Sequence, residues 1–173
     1  MNSVENSRVV TVASLTGNNG KIDFDDLHSK SKPYKKWDAY AQSKLAELIF
    51  SFELARRLEE SNSKTIAVSA HPGGSNTNLQ RTTGFFLKRV LFPLLSHTPD
   101  KAVLPSLLAA TDPMATKGTY WGPSGFNDLK GPPRQANVPA TVHNKNISNR
   151  LWKVGEDLTG IKFDLKPNRH AVS

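Results

Sequence analysis

The chain has 173 residues, 37% hydrophobic and 22% charged, with a formal net charge of +8, which suits one globular domain and excludes a disordered or membrane-embedded polypeptide. Its 23 Lys and Arg, against 15 Asp and Glu, are scattered and form no block long enough for a nucleic-acid arm, although a diffuse positive field attracts anions, phosphorylated cofactors included. Without cysteine there is neither a disulfide framework nor a thiolate metal site. The opening MNSVENSRVV lacks the charged leader and apolar run of a signal peptide, so a cytoplasmic address is expected.

In chain order, RVVTVAS (8–14) is a short β-branched run ending in small residues and reads as a buried strand. The Gly-, Asn- and Asp-rich stretch that follows, with Pro33, predicts a loop. From Trp37 to about Glu60, Leu45, Leu48, Ile49, Phe52, Ala55 and Leu58 recur at helical spacing, with Asp38 placed to favour the N-terminal end. TIAVSAHP (65–72) predicts a second strand, ended by Pro72, Gly73 and Gly74. Strand, helix, strand within about 60 residues is the crossover of a parallel sheet, whose ligands bind beyond the carboxyl ends of the strands. Further on, helices are expected near 83–95 and over 99–111, a short strand over 118–122, and a last helix over 146–158 stopped by Gly160. The apolar stretch GFFLKRVLFPLL (84–95) is interrupted by Lys88, Arg89 and Pro93 and falls short of the roughly 20 residues a spanning helix needs.

Tyr40 and Lys44 stand four apart on one face of the long helix. Tyrosine ordinarily ionises near pH 10, so acid–base work near neutrality needs a cation beside the phenol. One unit charge at about 4 Å is worth roughly 4 kcal/mol at an effective dielectric of 20, enough for that role. On its own the spacing is common, and a solvated pair is the ordinary outcome. Here it is accompanied by Ser14 at the end of the first strand and by HPGG (71–74) at the end of the second. Each companion also has a structural explanation: Ser14 as a strand-end cap, Pro72 and Gly73 as a plain turn, Thr77 as a helix N-cap. His71 has no second ligand at metal spacing, and TGNNG (16–20) is not followed by the amphipathic helix of a phosphate loop. Trp121 and Trp152 are expected in packing.

VTVASLTG, YAQSK and HPGGSNTNL together resemble the short-chain dehydrogenase/reductase family. GKIDFDDL, YAQSKLAELIFSFELARRL, GTYWGPSGFNDLKGPP and LWKVGEDLTGIKF are similar to its retinol dehydrogenase and WW-domain oxidoreductase branch. The resemblance runs from about Arg8 to Phe163. It implies an α/β fold, the C-terminal part of a Rossmann-like doubly wound parallel sheet, with the family's N-terminal strands and glycine-rich loop missing. It implies an NAD- or NADP-dependent oxidoreductase that interconverts an alcohol and a carbonyl by hydride transfer. Tyr40 would be the general acid/base and, with Lys44, a cofactor contact; Lys44 would also favour the ionised form of Tyr40 and hold the nicotinamide ribose. Ser14 would bind the reacting oxygen, while Pro72, Gly73 and Thr77 would flank the cofactor; no metal is implied. The expected organisation is one partial domain over 1–173, with a substrate lid over 84–98 and a C-terminal extension over 123–173. The expected partners are a small lipophilic alcohol or carbonyl substrate and a second copy or a missing N-terminal half. Nucleic acid is not among them, and membrane association through 84–95 would be weak. Because the segment that receives the cofactor diphosphate is not found, the alternative is a truncated, catalytically inactive fragment or an interaction module of a split dehydrogenase.

Overall fold

A computed structural model of the chain describes residues 4, 7–74, 98–125 and 127–165. The expected helix at 83–95 and Thr77 lie outside the described residues, as does the expected lid except for Thr98.

Four strands form one sheet in the order β1 (Arg8–Val12), β2 (Ile66–Ala70), β3 (Tyr120–Gly125), β4 (Lys130–Gln135). β1 and β2 pair in parallel from Arg8↔Ile66 to Val12↔Ala70, and β2 pairs in parallel with β3 at Ser69↔Tyr120. β4 runs antiparallel to β3. The long helix α1 (Lys36–Glu60) is the crossover between β1 and β2. It covers one face of the sheet, where Leu54, Ala55 and Leu58 pack with Ala67 and Val9. The other face is covered by α3 (Leu104–Thr111), which follows the short helix α2 (Pro99–Ala102), with Ala109 and Leu108 against Val68, Ala70 and Val10. Alternate residues of each strand thus serve opposite faces, as the pleat requires. The C-terminal helix α4 (Lys145–Thr159) lies beside α1, its Trp152 stacked on Phe50 at 5.4 Å.

Several expectations change. β1 is not buried: it forms an edge among the described residues and is only half covered, with Val12 51% exposed. The helix expected over 99–111 is broken at Val103, because Pro105 in the first turn of α3 has no N–H to continue the ladder from α2. β3 runs past Pro123 to Gly125 through a register irregularity, and β4, unforeseen because GPP (131–133) reads as a turn, lies on the other edge of the sheet. Prolines, which have no N–H to donate, are tolerated at edges and bulges because the ladder needs no donor at that position. The burial stripe of α1 is wider than its leucines, taking in Ser51 and Glu53. Glu53 is accommodated by Arg56 and Arg57, whose guanidinium groups reach its carboxylate at 2.6 Å. Burial pushes the Glu53 carboxyl up, and the hydrogen bonds from the two arginines outweigh it and hold it below its usual range. Trp121 and Trp152 are buried in packing, as expected.

Candidate active site

The register of β1 on β2 brings Ser14 and Pro72 to the same edge of the sheet. Val12 is opposite Ala70 and the Ala13 N–H donates to the Ala70 carbonyl at 2.8 Å, so Ser14 and Pro72 each lie two residues past an aligned pair. This is the carboxyl end of both parallel strands, where backbone groups freed from the ladder face a crevice.

The turn after Ser14 ties that edge to α1. Residues Leu15–Asn19 form a 3-10 turn, and a Cβ added at Gly17 would come within 2.9 Å of the backbone of Lys44 and Leu45, one at Gly20 within 2.5 Å of the Ala41 carbonyl. Only glycine lets the turn lie directly on the helix backbone there. The stretch of α1 it touches, Ala41 to Leu45, is the turn that separates Tyr40 from Lys44. Ser14 itself caps the 3-10 turn, its Oγ accepting the Thr16 N–H at 3.3 Å; the capping role foreseen for it is realised, and its half-buried hydroxyl stays at the sheet edge.

Tyr40 and Lys44 are both partly buried on α1. The Lys44 ammonium is 6.0 Å from the centre of the Tyr40 ring, and Trp37 meets that ring edge-on at 6.3 Å. Lys44 Nζ reaches across to the carbonyl of Val12 at 3.5 Å, and donates to Glu47 Oε2 at 2.7 Å. Lys44 thus links the helix to the end of β1. Glu47 was not singled out from the sequence, although its i+3 spacing from Lys44 is the signal that could have found it. Its carboxylate is 41% exposed, so the pair is partly screened by water.

The Pro72–Gly73 turn is held from the other side of the sheet. Gly73 has φ +74, and a Cβ there would strike the Leu129 carbonyl at 2.5 Å and Pro123 at 2.7 Å. The Gly74 N–H donates to the Leu129 carbonyl at 2.9 Å, so the β3–β4 turn supports it. The strand register thus brings Ser14, Pro72 and Gly73 to one edge, and the bond from Lys44 to Val12 ties α1 to it, with Tyr40 one helical turn before Lys44; Thr77 lies outside the described residues. A cavity of about 640 Å³ opens beside the first turns of α1, lined by Lys21, Asp23, Lys32 and Gln42 among others, and does not include Ser14, Tyr40 or Lys44.

What fold and site define is an α/β unit of Rossmann-like type, with hydroxyl and ammonium donors at the carboxyl ends of parallel strands. No family model matches the chain. It is 36% identical to human retinol dehydrogenase 13 over 166 residues, covering 90% of this chain and 46% of that protein, and 36% identical to human retinol dehydrogenase 11 over 160 residues. It is 33% identical to mouse polyprenol dehydrogenase over 159 residues, 89% of this chain and 44% of that one. Among solved structures it matches a putative uncharacterized protein from Mycobacterium Paratuberculosis with a TM-score of 0.74 and 31% identity, over 92% of this chain and 52% of the other. The chain is thus a homologue of retinol dehydrogenases, members of the short-chain dehydrogenase/reductase family, and it spans about half the length of these relatives.

Proposed function

We propose that the chain carries the acid–base half of an NAD(P)-dependent dehydrogenase acting on a lipophilic alcohol or its carbonyl counterpart. The observation that supports this most is the convergence of Ser14 and Pro72 at one sheet edge, with the Tyr40–Lys44 turn of α1 laid against the same loop. The relatives, retinol and polyprenol dehydrogenases, point to a lipophilic alcohol as substrate.

The donor set fits the nicotinamide-ribose end of such a cofactor: an ammonium for ribose hydroxyls, and backbone of the Pro72–Gly73 turn beside the ring. When bound, the cofactor supplies or accepts the hydride. The chain's own residues do the rest. The Tyr40 hydroxyl gives a proton to the substrate oxygen during reduction, and its phenolate form takes one during oxidation. Lys44 lies 6.0 Å from that ring, and its ammonium donates to the hydroxyls of the cofactor ribose. Ser14 Oγ, turning from its Thr16 contact, donates to the reacting oxygen and fixes it in place. Thr77 is proposed as a further cofactor contact. A cytoplasmic address belongs to the same proposal.

A second reading is that the chain is an interaction module or inactive part of a split enzyme. It is favoured by the open edge of β1 and by an apolar cavity of about 620 Å³ alongside it, lined by Val9, Phe50, Leu54 and Trp152, surface of the kind that partners cover. Titration of NADPH and NADH against the purified chain, read by nucleotide fluorescence, separates the two. The dehydrogenase predicts saturable binding that Lys44→Ala weakens about tenfold or more, the loss of one charge-assisted hydrogen bond, while Tyr40→Phe still binds and abolishes turnover. No binding at millimolar nucleotide overturns autonomous catalysis in favour of the module.

A further inference from the structure

His71, between β2 and the Pro72–Gly73 turn, has no place in the acid–base chemistry above, yet it is fully buried. Its Nδ1 accepts the Gly73 N–H at 3.2 Å. An imidazole nitrogen that accepts carries no hydrogen, so the ring proton of the neutral form sits on Nε2. Nε2 in turn has no hydrogen-bond partner among the described residues. The ring is fixed by shape. It lies against Gly122 of β3, where an added Cβ would come within 1.9 Å of Nε2 and 2.5 Å of Cδ2, and its centre is 5.0 Å from the Tyr120 ring. The His71 backbone is held as well, its N–H donating to the Trp121 carbonyl at 2.8 Å.

We propose that His71 is a positioning residue whose Nδ1 holds the Gly73 amide and thereby fixes the Pro72–Gly73 turn beside the cofactor, an inference that rests on the dehydrogenase function proposed above. An unpartnered buried N–H has an energetic cost, and the arrangement retains an imidazole here because Nδ1 is the only side-chain acceptor the ring offers the turn. Gly122 is the counterpart that leaves the ring its space. Burial keeps the ring neutral, which the acceptor role requires, by pushing its pKa down to about 4. The charged groups that act on it are Asp128, which opposes this shift, and Arg134, which adds to it; the two pair with each other at 2.5 Å.

The tautomer is measurable in the unmutated chain. Long-range nitrogen–proton NMR at pH 7 is expected to show His71 Nδ1 as the unprotonated, acceptor-type nitrogen and Nε2 as the protonated one. A proton on Nδ1 overturns the proposal whatever any variant does. Amide exchange provides the second reading. Replacing the acceptor, as in His71→Leu, is expected to speed Gly73 exchange by about tenfold, the worth of one hydrogen bond. His71→Asn, whose Oδ1 can stand where Nδ1 stands, should restore the protection. Unchanged Gly73 protection in a folded His71→Leu chain overturns the proposal. In the third arm, NADPH dissociation constants should rise about tenfold in His71→Leu and return toward the parent in His71→Asn, in step with that lost bond. If the unmutated chain binds no nucleotide, the dehydrogenase function falls and with it the cofactor role of the turn, while tautomer and exchange still decide whether His71 holds Gly73.

Discussion

β1 and β2 are two five-residue strands of similar make, paired in parallel along their full length, and they live in different environments. β2, IAVSA, is flanked on both sides and has four of its five residues buried. β1, RVVTV, is richer in β-branched residues yet has none buried, and its last valine is half exposed. The difference teaches that place in the sheet order, not composition, sets burial. A central strand is covered by two neighbours and two helix layers; an edge strand keeps one side open however apolar it is. The functional consequence follows the same line. The turn after β2 is held rigidly by His71, Leu129 and Pro123, whereas the turn after β1 rests on the glycine contacts with α1 and the Ser14 cap.

Substitutions on the two sides of the sheet sharpen this contrast. The largest effect is expected at the centre: Gly122→Val drives a side chain into the His71 ring and should cost more than about 3 kcal/mol in urea unfolding, or prevent folding, because a packed core cannot absorb the volume. Leu48→Ala, at a fully buried position of α1, should cost about 2–5 kcal/mol by the same measurement, the span set by how far the cavity collapses. Acidification comes next. His71 is held neutral with a folded pKa of about 4, below its unfolded value near 6.5, so its contribution is complete above the unfolded value and is lost as pH falls toward 4. Unfolding free energy should drop by about 2 kcal/mol between pH 7.5 and 5, and the drop should vanish in His71→Leu. Glu53, held below its usual range, has the same sign and adds its loss at still lower pH. At the edge the expectation is the smallest: Val12→Lys should move stability by no more than about 0.5 kcal/mol, while lowering self-association in sedimentation velocity, since a charge blunts an open strand edge. A loss at Val12 as large as that at Gly122 would break the contrast.

How much of this was legible in the sequence depends on how local the cause is. The span of α1 and the stop of α4 at Gly160 were readable because spacing, caps and a terminating glycine act within a few residues. So were Tyr40 and Lys44 on one helix face, and the two strands that lead, within two residues of their ends, to Ser14 and to Pro72. The break at Val103 was readable in principle from Pro105. β4 was not, because its GPP run is a turn signal and only an antiparallel partner makes it a strand. Glu47 as the partner of Lys44 was available from i+3 spacing, but Val12, 32 residues away, was not. His71 looked like a lone histidine because its meaning lies in Gly122, a residue on another strand.

The sequence by itself singled out Tyr40 and Lys44 on the crossover helix, with Ser14 before it and HPGG after it, since residue type and periodicity are properties of short stretches. Only the tertiary structure decided that β1 stands at an edge and β2 at the centre. It alone brought Lys44 to the end of β1 and buried His71 against a glycine so that its Nδ1 is turned to the Gly73 amide. These depend on contacts between distant segments, and their energies arise only when the sheet is assembled and the layers close over it.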